Sequence, residues 1–349
     1  MLNINQKKCL ENASLFDGYF MQRIHEGLSP CFSVAVLKND EIVFDFAKGK
    51  PLPESDSHTE ITDQTLFNIG SVTKPLTGAL IIKLVEMGEI TLNDPVKKYI
   101  REYKFDNVTI YHLLTHTSGY DGNYPIDWPK KDESIEGYFK KIFSIDFLKH
   151  KTGEAVEYCT YGYSILMYIL EKVTNMSIEQ YSRNVLFDPL GMNFTTYETN
   201  SLIENEYILP YNDNIKSLEY KLNRIPATGD SGLYSTPMDL LKFSNMVLHK
   251  GEGNGKRVFS EAAIQMMLRE ITNRRFMRTP NFWLKASMDI HGCFGDLSSP
   301  STVGHTGFSG CMLFIDPEFN MAGAILTNSM KLHEDWKNYK RICNLLYLM

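Results

Sequence analysis

The chain has 349 residues, is 43% hydrophobic and 22% charged, and sets 36 Lys and Arg against 42 Asp and Glu for a net charge of −6. This is a globular composition, which excludes a disordered, collagen-like or coiled-coil protein. The acidic balance argues against nucleic acid as a partner, because duplex binding calls for a basic excess. In chain order, residues 4–27 read as a helix with Phe16, Phe20 and Ile24 on one stripe. The segment 32–48 is two apolar runs about Asn39-Asp40, a hairpin. Residues 71–87 form a helix with Leu76, Leu80, Leu84 and Met87 on one face and Gly88 as its stop. Helical patterns recur over 108–116, 160–175, 177–186 and 237–249, the last capped by Ser235 or Thr236. From 303 onward CMLFIDPEFNMAGAILTN is a second hairpin about Asp316-Pro317, and 332–348 is a closing helix with Trp336, Tyr339, Cys343 and Leu346 at helical spacing.

Both ends are thus helix plus hairpin, and the middle is mostly helical. The expected fold is α/β of the α+β type: one antiparallel sheet built from N- and C-terminal segments, covered by the terminal helices, with an inserted helical lobe. The expected organisation is a single domain over 1–349, with a sheet lobe at about 1–65 and 285–349, a helical lobe at about 66–284, and the site in the cleft between them. No apolar run reaches the roughly 18 residues of a membrane-crossing helix, so no membrane association is expected. The N-terminus MLNINQKKCLENASLFDGYF carries no export-signal pattern. Six dispersed cysteines (Cys9, Cys31, Cys159, Cys293, Cys311, Cys343) fit free thiols rather than a disulfide framework, and the expected location is cytoplasmic. Arg274, Arg275 and Arg278 read as a solvated loop.

Ser71-Val72-Thr73-Lys74 is the one S-x-x-K in the chain. Pro75 belongs in a first helical turn, because deeper in a helix it would remove a backbone bond, so Ser71 falls at a helix N-terminus. A spacing of three puts Ser71 and Lys74 on one face. A Ser hydroxyl attacks poorly until a base takes its proton, and Lys can be that base when burial and the helix dipole lower its pKa. The same N-terminus offers N–H groups to a developing oxyanion.

Six landmarks follow in order: SVTKPLTGALIIKLVEMGEITLNDPV, VTIYHLLTHTSG, GEAVEYCTYGYSILMYILEKVTN, DPLGM, GDSGLYSTPMDLLKF and VGHTGFSG. On these the chain resembles the penicillin-recognising serine hydrolases, in particular the class C β-lactamase-like group of β-lactamases, D-peptidases and esterases. The resemblance runs from about residue 30 to about 330. It implies that Tyr158, in Tyr158-Cys159-Thr160, is the catalytic tyrosine, serving as base and then as acid to the leaving group. Thr160 stands where the family usually has Asn, with less reach toward a substrate amide. The resemblance assigns His305-Thr306-Gly307 to the family's Lys-Thr-Gly substrate-binding strand, and the N–H groups of Ser71 and Phe308 to the oxyanion hole. His305 stands where the family's Lys would carry a charge toward a substrate carboxylate, and an unperturbed His is mostly neutral at pH 7.

Other motifs carry less. Lys151-Thr152-Gly153 is a literal match to the third element but lies in a loop. Gly229-Asp230-Ser231-Gly232 looks like a chymotrypsin-type nucleophile sequence without the matching His and Asp, and reads as a structural loop. His112 and His116 are four apart without the Glu of a zinc helix, and Cys159 reads as a packing residue. The loop with Tyr120, Tyr124 and Trp128 is either an aromatic substrate pocket, with Tyr120 as a binding residue, or an anchor onto the helices.

The expected function is a cofactor-free, metal-free serine hydrolase that forms an acyl-enzyme at Ser71. Its partner is a small ester, amide or peptide substrate, and homo-oligomer formation stays open. The alternatives are a β-lactamase or D-alanyl-D-alanine carboxypeptidase, and a non-catalytic binding or regulatory protein.

Overall fold

The computed structural model describes residues 4–52, 60–126, 134–198, 207–212, 217–218, 228–273, 278–285 and 292–349. Its centre is a six-stranded antiparallel sheet in the spatial order Trp283–Leu284, Val303–Thr306, Met312–Asp316, Met321–Thr327, Cys31–Lys38, Glu41–Gly49. The two terminal hairpins meet where Cys31–Lys38 pairs with Met321–Thr327, in a register that sets Phe32 opposite Thr327 and Lys38 opposite Met321. The first hairpin turns at Asn39 and Asp40, both at positive φ, the conformation a two-residue turn between twisted strands requires.

Strand alternation sorts the core into two layers. Phe32, Val34 and Val36 face one side with Met312, Phe314, Met321 and Ile325. There they meet Phe16 and Phe20 of helix Ile4–His25 and Tyr339, Ile342, Cys343 and Leu346 of helix Lys337–Leu346. Ala35, Leu37, Leu313, Ile315, Ala322, Ala324 and Leu326 face the opposite layer, against which helix Pro237–Leu248 packs. Thr236 caps that helix by accepting the Asp239 N–H, which settles the choice between Ser235 and Thr236.

The helix expected over 71–87 begins as a tight turn, Gly70–Val72, and continues as Thr73–Glu86, ending at Gly88 with φ +76°. Every residue from Thr73 to Ile82 is buried, so this helix runs through the core rather than along its surface. The remaining expected helices appear as Ile110–Leu114, Thr160–Thr174 and Ile178–Ser182, the last widening into a π-helical turn over Arg183–Phe187. Two further helices, Ile135–Ser144 and Glu261–Leu268, lie outside the expected helical segments. The closing segment is broken at Asp335 and Trp336, with a short helix Lys331–Glu334 before the main one. No helix among the described residues is long and apolar enough to cross a membrane.

Candidate active site

Ser71 lies in the turn that feeds the buried helix, and Lys74 follows one turn later with no exposed surface. Lys74 Nζ donates to Ser71 Oγ at 2.9 Å and to the carbonyl of Asp230 at 2.9 Å. Asp230 is itself fully buried; its carboxylate accepts from Ser164 Oγ at 2.9 Å and Ser231 Oγ at 2.6 Å. The Gly229–Gly232 loop therefore does more than precede a helix. It closes over Lys74, and Ser231 reaches the site cavity.

Tyr158 comes from the loop just before helix Thr160–Thr174, and its ring lies 4.9 Å from Lys74 Nζ. Tyr163, one turn into that helix, sets its ring 5.8 Å from the same nitrogen. Cys159 is buried and burial pushes its thiol up to about 12, which fits packing rather than chemistry.

His305 and Thr306 stand on strand Val303–Thr306, and Gly307 follows its end. Gly70, at φ +52°, brings the nucleophile turn against this strand's end: a Cβ there would sit 3.2 Å from the Phe308 nitrogen. A Cβ on Gly307 would collide with the Ile69 carbonyl. Two glycines thus let backbone meet backbone, and the N–H groups of Ser71 and Phe308 belong to one shared corner.

That corner opens into a cavity of about 280 Å³ lined by Ser71, Tyr158, Thr160, Thr306 and Phe308 together with residues the sequence did not assign to the site, among them Asn68, Trp283, His333 and Trp336. The rings form a run: Tyr158 to Trp283 at 6.0 Å, Trp283 to Trp336 at 5.9 Å, Trp336 to His333 at 5.2 Å, His333 to Phe308 at 5.9 Å. Burial lowers the His333 pKa, so this ring is neutral at pH 7. Among the described residues, none that lines the cavity is charged. Thr306 Oγ1 and Asn68 Nδ2 are buried with no hydrogen-bond partner.

Several expectations change. His305 is buried behind the wall, stacked 4.1 Å under Trp283, and its Nδ1–H donates to the Thr306 carbonyl at 2.6 Å. Neither His305 nor Gly307 lines the cavity. Tyr120 is a core residue, edge-on to Tyr161 at 5.0 Å, Phe105 at 5.7 Å and Tyr103 at 6.4 Å, so it anchors its loop and does not meet the cavity. Tyr124 packs on the same core, and Trp128 lies outside the described residues. Arg278 is buried, contrary to the solvated loop expected of it; burial pulls its pKa down to about 10, partly offset by Tyr163 and Tyr158 nearby. Arg274 and Arg275 lie outside the described residues. Lys151 is exposed in a turn, as its coincidental match implied. His112 caps its own helix, its Nδ1 accepting the Thr109 N–H, and no metal-binding cluster occurs among the described residues. Trp283, His333 and Trp336 come from distant segments, while Asn68 lies just before Ser71 but outside the S-x-x-K.

The sequence matches the Beta-lactamase family over residues 16–342. The chain belongs to that family of serine hydrolases. A Salmonella agona (strain SL483) protein named as a D-alanyl-D-alanine carboxypeptidase is 26% identical over 365 residues, covering 89% of this chain and 81% of the relative. Two solved structures show the fold: EstCE1, described as a hydrolase with promiscuous acyltransferase activity (TM-score 0.80, 17% identity, 99% of this chain and 100% of that one), and a class C β-lactamase (TM-score 0.76, 17% identity, 99% and 98%).

Proposed function

We propose that this hydrolase cleaves neutral esters through an acyl-enzyme on Ser71. The observation that carries the reading is the Lys74–Ser71 hydrogen bond at the floor of a cavity walled by aromatic rings and uncharged polar groups. Ser71 Oγ bonds to the ester carbonyl carbon while its proton passes to the Lys74–Tyr158 pair. The N–H groups of Ser71 and Phe308 hold the oxyanion. The tetrahedral intermediate collapses, the ester C–O bond breaks, and Tyr158 returns the proton to the leaving oxygen. Water then attacks the acyl carbonyl, the acid departs, and Ser71 regains its hydroxyl.

Neutral substrates are favoured because, among the described residues, the cavity wall carries no charged side chain to meet a carboxylate, and burying an unpaired charge is costly. Thr160 at the position usual for Asn supplies a hydroxyl with shorter reach toward a substrate amide. Thr306 Oγ1 and Asn68 Nδ2 are the buried polar atoms left for the substrate. Five buried, unbridged cysteines among the described residues support a reducing, cytoplasmic setting.

The test compares p-nitrophenyl acetate and butyrate with nitrocefin and a D-alanyl-D-alanine peptide. The esters should exceed the carboxylate-bearing substrates in kcat/KM by about 10²-fold or more. Faster turnover of nitrocefin or the peptide would instead assign the chain to the β-lactamase or carboxypeptidase alternative.

A further inference from the structure

We propose that His116 positions Tyr158, fixing the peptide on both sides of the tyrosine and one face of its ring. The inference rests on the reading of Tyr158 as the acid–base group and adds a residue through which that group is held. Tyr158 needs such a support. It belongs to no strand, and helix Thr160–Thr174 begins two residues after it. A shift of about 1 Å in a group of this kind is enough to cost about 10²-fold in rate.

His116 supplies three contacts from one residue. Its carbonyl accepts the Glu157 N–H at 2.9 Å, and its Nδ1 accepts the Cys159 N–H at 3.1 Å. The backbone N–H groups of both sequence neighbours of Tyr158 are thereby tied to the same residue. Its imidazole lies between the rings of Tyr158 at 4.7 Å and Tyr163 at 5.3 Å, tilted by 34° and 31°. Lys74 Nζ meets the same two rings. The backbone bears the mark of this use. His116 is buried at φ +56°, a conformation that costs a β-carbon residue about 1–2 kcal/mol and that Gly or Asn would adopt more easily. Strain of this sort persists where the surroundings over-determine it. Burial, with Arg278, Lys74 and His305 nearby, lowers the His116 pKa well below its usual value, so the ring is neutral and Nδ1 is free to accept. His112, four residues earlier, has the unrelated task of capping its helix.

The test uses His116→Asn and His116→Phe on p-nitrophenyl acetate, with melting temperatures measured in parallel. Asn tolerates positive φ and sets Oδ1 where Nδ1 stood; Phe keeps a ring and loses the acceptor. H116F should lower kcat about tenfold or more with KM within about twofold of wild type, while H116N keeps about a third of kcat or better. The inference is overturned by H116F keeping kcat within about twofold of wild type, by a loss expressed in KM alone, or by H116N falling as far as H116F. Ser71→Ala is run alongside: hydrolysis that survives in it contradicts the function itself, whereas a flat His116 series with an inert S71A contradicts only the positioning.

Discussion

Lys74 is a side chain of high solvation cost with no exposed surface, and its contacts include Ser71 Oγ, the Asp230 carbonyl and the rings of Tyr158 and Tyr163. Such a placement is stable only when the ammonium or amine is hydrogen-bonded. Lys74→Met fills similar space without the nitrogen. It should lower kcat by about 10²–10⁴ while leaving thermal stability undiminished; a kcat within about tenfold of wild type would count against Lys74 as part of the base. His116 carries a pH signature. Unfolded, it takes a proton near pH 6.5; folded, it resists protonation until well below that. Its stabilising contribution is complete above about pH 6.5 and is lost as pH falls through that value toward the lower folded one. Asn has no such proton, so the stability of wild type relative to H116N, measured by urea unfolding, should fall between about pH 7.5 and about pH 5. A constant difference would show that His116 is not held neutral. Ser71 and Lys74 were legible in sequence because a single helical turn joins them. Asp230, Trp283, His333 and Trp336 were not, since they reach the site from segments more than a hundred residues downstream and share no spacing rule. Tyr120 stayed open between pocket and anchor because an aromatic in a loop reads the same whether it faces a cavity or the core.

The proposed oxyanion corner is made by two elements that touch through backbone, the Gly70–Val72 turn and the end of strand Val303–Thr306. Their approach was foreseeable only through the family resemblance; the reason for it, two glycines facing each other's peptides, needed the structure. Gly307→Ala pushes its Cβ into the Ile69 carbonyl and would separate the Ser71 and Phe308 N–H groups. Its kcat should fall by about 10²–10³ on p-nitrophenyl acetate, as for loss of an oxyanion donor; an unchanged kcat would remove this corner from the mechanism. Helix Pro237–Leu248 presses the sheet's inner face and depends on its cap. Thr236→Ala should cost about 1 kcal/mol in urea unfolding with kinetics unaffected.

Across the whole molecule the chain ends are neighbours. Strand Cys31–Lys38 pairs with Met321–Thr327, and helices from both termini share one aromatic layer with Phe32, Phe44, Phe46 and Phe314. The two-hairpin pattern made this pairing readable in advance. Ending the chain at 330 would strip Tyr339, Ile342, Cys343 and Leu346 from that layer, at roughly 1.5–3 kcal/mol for each large side chain against a total stability of about 5–15 kcal/mol. Cooperative melting near the full-length temperature would contradict the picture of a sheet closed by both ends. The central claim is that one serine carries the reaction. Intact-protein mass spectrometry after treatment with a fluorophosphonate, followed by peptide mapping, tests it most directly. A single adduct on Ser71, formed in step with the loss of ester hydrolysis, is the predicted result; hydrolysis that persists in fully labelled protein, or a label on another residue, would contradict it.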